Sequence, residues 1–207
     1  MQINVQAATI ADAFLPQQKL LRYLIMATLV AGGSAFVAGA AQVRIDMAFT
    51  PVPISGQTFA VLLVGAVLGS RLGLAAMLTY MAEGASGLPV FAGGTSGPSI
   101  ISGPTGGYII GFVFAAFVVG WLAERGFARN PATTAAVMVL GNIVIYVFGV
   151  IQLHYFVGWE KVWAFGVRDF IPGDVVKVLL AAGVLPGAWW LRERLGGLAG
   201  RAPAPPR

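Results

Sequence analysis

The charges of this chain fall in clusters, and the intervals between clusters are apolar for longer than a soluble core requires. No charge falls between Tyr23 and Val43, and none between Thr133 and Phe156. A helix crosses the hydrocarbon core of a bilayer with about 20 apolar residues. Hydrophobic residues make up 57% of the 207 and charged residues 10%, where a soluble domain has about 45–50% and about 25%. That composition excludes a water-soluble globule and a disordered chain. Cysteine is absent, which excludes a disulfide framework, a thiolate metal site and a cysteine nucleophile. The net charge of +5 would suggest nucleic acid, but its basic residues sit at the ends of apolar segments, as they do in membrane proteins.

The apolar intervals predict a lead-in over 1–19, mobile or an amphipathic stub, and a membrane domain over 20–191. Its spans run approximately 20–43, 58–69, 72–82, 108–123, 133–156 and 172–191, before a basic, proline-rich tail over 192–207 expected to be disordered. The topology turns on Ser70-Arg71. A single helix across it would leave Arg71 in mid-bilayer, at about 2.5–3.5 kcal/mol. A reversal there groups Lys19, Arg22, Arg71, Arg125, Arg129, Arg192, Arg194, Arg201 and Arg207 on one side, and leaves Arg44, Lys161 and Arg168 on the other. The positive-inside rule then predicts six transmembrane helices with both termini cytoplasmic. The two short helices flanking the reversal, of about 12 residues and roughly 18 Å each, need flanking residues or neighbours to shield them.

In that topology nearly every unusual residue falls at the outer ends, which predicts an all-α membrane protein with a ligand pocket toward the outer face. Irregular backbone at membrane depth is tolerated where it lines a cavity. Asp174 and Lys177, at i and i+3 on one helix face, are the sharpest signal. They are read as ligand groups ahead of a mutually neutralising pair, because intramembrane ionisable residues default to function. Gly103–Tyr108 opens a helix, so free N–H groups near Thr105, Gly106, Gly107 and Tyr108 could seat a carboxylate, against the alternative of a tight turn. Tyr80 and Asn142 are further candidates, with interhelical hydrogen bonding an equal account of Asn142. Glu83 reads as a solvated boundary charge and His154 as interfacial. The five tryptophans, Trp121, Trp159, Trp163, Trp189 and Trp190, read as interfacial anchors. Ala27, Ala31, Ala35 and Gly39 form a small-residue stripe for internal packing or for a partner helix. No catalytic or phosphate-binding motif is present, so this chain cannot hydrolyse ATP itself. No metal site or cofactor is expected.

The motifs Pro51-Val-Pro-Ile-Ser-Gly-Gln-Thr58, Gly65/Gly69/Gly73, Gly87-Leu-Pro-Val-Phe91, Gly103-Pro-Thr-Gly-Gly-Tyr108 and Pro172-Gly-Asp-Val-Val-Lys177 resemble the BioY family in type and order. These are biotin-specific S components of energy-coupling-factor (ECF) transporters. The resemblance implies a vitamin-capture subunit of the bacterial cytoplasmic membrane, with biotin as ligand. Its implied partners are a transmembrane coupling (T) component and two ATP-binding-cassette ATPases. It places the family's acid–lysine pair on Asp174 and Lys177, and likens Ala27/Ala31/Ala35 to the docking motif of such subunits. The alternatives are an S component for another vitamin, such as riboflavin or thiamine, and an intramembrane enzyme using His154 with a nearby serine.

Overall fold

The structure is a computed structural model that describes residues 9–199; the second half of the expected tail, 200–207, lies outside the described residues, while 192–199, expected to be disordered, continues the last helix. Its long helices are α1 (Lys19–Gln42), α2 (Gln57–Ala85), α4 (Gly106–Glu124), α5 (Pro131–Val157) and α7 (Ile171–Ala199), with short helices α3 (Pro98–Ser102) and α6 (Trp159–Gly166) between them. Strands β1 (Arg44–Ile45) and β2 (Ile54–Ser55) form a small antiparallel ribbon, Arg44 opposite Ser55.

α2 is continuous by its hydrogen bonds yet folds back on itself. Gly69 has φ 84° and ψ 178°, a backbone open to glycine at no steric cost. Gln57 Nε2 consequently reaches Tyr80 Oη at 2.7 Å, although 23 residues would span roughly 35 Å in a straight helix. The arms, 57–68 and 70–85, press on α4 so closely that a Cβ at Gly65 would stand 2.7 Å from the Ala116 carbonyl oxygen. The tip has its own cap. Glu124 Oε1, from the end of α4, accepts from Ser70 N at 2.7 Å and Ser70 Oγ at 2.8 Å, so a carboxylate satisfies a free donor at the start of the second arm. The reversal expected from the charges is therefore present, and the arms are shielded by α4 and α1.

Part of the lead-in is also packed rather than mobile. Thr9 and Asp12 exchange side-chain and backbone hydrogen bonds of 2.9–3.2 Å, and Thr9 lies against the hairpin tip at 1% exposure. Arg129 lies over the Trp189 ring at 4.4 Å, which brings the α7 end to the same pole as the tip and Glu124. Arg71, Arg125 and Arg129 thus share one pole. Trp189, expected as an interfacial anchor, is 3% exposed beneath that arginine, while the other four tryptophans are exposed.

α1 buries only Gly33, Ser34, Val37 and Ala41, a narrow stripe against α2. Ala27, Ala31 and Ala35 are exposed, because Ala31 stands two residues from Gly33, about 200° around the helix. The two stripes back onto each other, and the alanines do not serve internal packing. Glu83, expected to be solvated, accepts from Ser34 Oγ at 2.5 Å and ties α2 to α1.

Candidate ligand cavity

At the pole opposite the arginines, the loops close over the bundle. The ribbon folds 44–56 into a flap, and Thr50 Oγ1 donates to the Phe165 carbonyl at 2.8 Å, fastening the flap to α6. On the other side, Gly84 leaves room for the Phe91 ring, which meets Tyr80 edge-on at 5.5 Å. Gln152 Nε2 donates to the carbonyls of Ile101 and Gly103 at 2.8 and 2.6 Å, anchoring the turn ahead of α4. Beneath these loops lies a cavity of about 280 Å³, near the lower end of the ~300–1,000 Å³ usual for small-molecule sites.

Its polar floor is built on α7. Lys177 Nζ donates to the Ser55 carbonyl at 2.9 Å, to Thr58 Oγ1 at 2.8 Å and to Asp174 Oδ1 at 3.3 Å. All three ammonium donors are engaged. Asp174, 8% exposed, receives the Tyr146 hydroxyl on its other oxygen. A second cation lines the cavity from the ribbon. Arg44 bonds the Ala92 carbonyl at 3.0 Å and Asp46 at 3.1 Å, its guanidinium laid against Gly93, where a Cβ would collide with it. Between these groups the wall is apolar or aromatic, from Pro51, Val52, Phe91, Ile109, Phe112 and Phe170. The arrangement suits a ligand with NH groups and oxygens, an apolar body and an anionic group.

Of the residues singled out in the sequence, Asp174, Lys177, Thr105 and Tyr108 line the cavity. Tyr108 donates its hydroxyl to the Gly166 carbonyl at 2.9 Å. Tyr80 lies behind the wall, fully buried, accepting from Gln57 and donating to the Val90 carbonyl at 3.1 Å. Gly106 and Gly107 meet α5 at Gln152 and Phe148. The N–H groups of Gly106 and Tyr108 are taken by the carbonyls of Gly103 and Thr105, because successive tight turns precede the helix, so these two amides are not free to seat a carboxylate. Asn142 lines a groove on the outer side of α5 and α7 instead. His154 stacks on Trp159 at 4.2 Å, outside the cavity lining. Sequence reasoning passed over Arg44 and Tyr146. A basic residue in a proline-rich outer loop and a tyrosine within an uncharged span were the available signals.

Fold and cavity together define a multi-pass α-helical membrane protein with a small polar-floored cavity beneath loops at one pole. The chain belongs to the BioY family, whose sequence model matches residues 13–194. It is 40% identical over 146 residues to the "Biotin transporter BioY" of Rhizobium etli, covering 67% of this chain and 78% of that protein. It is 42% identical over 138 residues to the "Probable biotin transporter BioY" of Pyrococcus horikoshii, covering 67% and 81%. The solved structure "Crystal structure at 2.1 A of the S-component for biotin from an ECF-type ABC transporter" superposes with a TM-score of 0.74 at 26% identity, covering 86% of this chain and 95% of that one.

Proposed function

We propose that this chain is the biotin-binding uptake subunit of an ECF transporter, a transport subunit rather than an enzyme. The observation that carries the reading is the Asp174–Lys177 pair on the floor of a small cavity, in a chain of this family. Biotin has a ureido ring with two NH donors and a carbonyl, an apolar sulfur ring and a valerate carboxylate. Asp174 accepts a ureido NH, and Lys177 donates to a ligand oxygen in place of one of its three present acceptors. Arg44, the other cation of the lining, stands for the carboxylate, with Thr105 and Tyr108 along the wall. Tyr80, Gly106 and Gly107 stand behind it, and Asn142 lies in the separate groove of α5 and α7.

The exposed Ala27/Ala31/Ala35 face is the docking surface for the T component, which carries two ATP-binding-cassette ATPases. Small residues let a partner helix approach closely in lipid. The arginine pole faces the cytoplasm, with both termini, and the cavity pole faces outward across the bacterial cytoplasmic membrane. Titration of the purified protein in detergent with labelled biotin, challenged by unlabelled biotin, riboflavin and thiamine, tests the assignment. Saturable binding displaced by biotin alone is expected. No saturable binding, or equal displacement by another vitamin, would overturn it.

A further inference from the structure

Behind the cavity, on the lipid side of α5 and α7, runs a groove of about 740 Å³ walled by residues such as Val139, Ile143, Val147, Val175 and Leu179. Tyr146 and Asp174 line both spaces. The hydrogen bond from the Tyr146 hydroxyl to Asp174 Oδ2 is therefore part of the partition between a polar site and an apolar, lipid-facing groove. Asn142, one turn from Tyr146 on the same face of α5, puts a second hydrogen-bonding side chain on the groove side, at 7% exposure.

Building on the biotin reading above, we propose that Tyr146 is a positioning residue for ligand recognition, holding the Asp174 carboxylate toward the cavity and away from Asn142 in the groove. A carboxylate has about four acceptor positions. Lys177 takes one on Oδ1 and Tyr146 one on Oδ2, which leaves capacity for a ligand NH while setting the plane of the group. The tyrosine ring is itself braced: it meets the Tyr108 ring edge-on at 6.5 Å and 87°, and Tyr108 is fastened to α6 through Gly166. Removing only the hydroxyl leaves that brace and frees the carboxylate to turn toward the Asn142 amide. Tyr146 thus acts through Asp174 rather than on the ligand.

The test compares labelled-biotin affinity and thermal unfolding in detergent for wild type, Tyr146→Phe, Asn142→Leu, Tyr146→Phe/Asn142→Leu and Tyr146→Phe/Asp174→Asn. Tyr146→Phe is expected to bind about tenfold more weakly, the scale of a hydrogen bond to a charged group, with its unfolding temperature unchanged. Adding Asn142→Leu restores part of the affinity by removing the competing donor, a rescue that a packing role would not give. In the Asp174→Asn background, Tyr146→Phe costs nothing further. Wild-type affinity in Tyr146→Phe, losses that simply multiply with Asp174→Asn, no rescue by Asn142→Leu, or loss of the folded protein with Tyr146→Phe would each overturn the proposal. Absence of biotin binding by the wild type would defeat the functional reading and this inference with it, whereas wild-type binding with an unaffected Tyr146→Phe defeats the inference alone.

Discussion

Replacing Asp174 by Asn keeps the shape of the floor and removes its charge. In the native site one oxygen takes Lys177 and the other takes Tyr146. An amide offers one acceptor oxygen and an NH₂ that only donates. If the oxygen faces Tyr146, the NH₂ points at an ammonium; if it faces Lys177, the tyrosine proton loses its acceptor. One contact is lost in either orientation. Breaking a buried ion pair costs about 3–5 kcal/mol, but Lys177 keeps Ser55 and Thr58 at 2.9 and 2.8 Å, and its link to Asp174 is the longest of the three. The lower end of that range, about 3 kcal/mol, is therefore expected, divided between folding and binding. Half of it weakens biotin binding about tenfold, since 1.4 kcal/mol is a decade. Equilibrium titration with labelled biotin reads the binding share, and thermal unfolding of the same preparation reads the folding share. A well-folded Asp174→Asn protein with wild-type affinity and stability would refute the reasoning.

Glu124→Gln should lower thermal stability by about 1–2 kcal/mol, because a neutral acceptor replaces the carboxylate that caps the second arm of α2; unfolding in detergent measures it, and unchanged stability would dismiss the cap. In the naturally cysteine-free chain, single cysteines at exposed Arg71 and Arg125 should resist an impermeant thiol reagent in intact cells while one at Lys161 reacts; labelling at 71 from outside would reverse the proposed orientation. Ala31→Trp should leave a folded, biotin-binding protein that no longer co-purifies with the T component and its ATPases, and co-purification at the wild-type level would remove the alanine face as the docking surface.

Membrane embedding, the long spans and the fold-back of α2 were legible in the order of residues because each rests on a local cost, whereas the short helices α3 and α6 were not foreseen. A charge left in mid-bilayer is expensive wherever the rest of the chain goes, so Arg71 marks the reversal, and Gly69 beside it supplies the backbone that a turn there needs. The juxtaposition of Asp174 and Lys177 was equally local, since i and i+3 share a face of any helix. The occupants of the rest of the cavity were not local. Tyr146 meets Asp174 across 28 positions and Arg44 meets Ala92 across 48, and no periodicity encodes which distant segments will touch. Glycine spacing suggested close approach in the Gly103–Tyr108 turn but not its direction, and packing turned Gly106 and Gly107 toward α5 instead of the cavity.

The sequence by itself determined that the chain lies in lipid, where it reverses, and which acid and base would share a helix face, because hydrophobicity, charge cost and helical phase act over one or two turns. Only the tertiary structure decided which face of α1 is left exposed and which distant side chains fasten the ionic pair. It likewise placed Asn142 in the groove behind the cavity. Those outcomes depend on how helices rotate against one another, and that rotation is set by the sum of many weak contacts across the whole bundle.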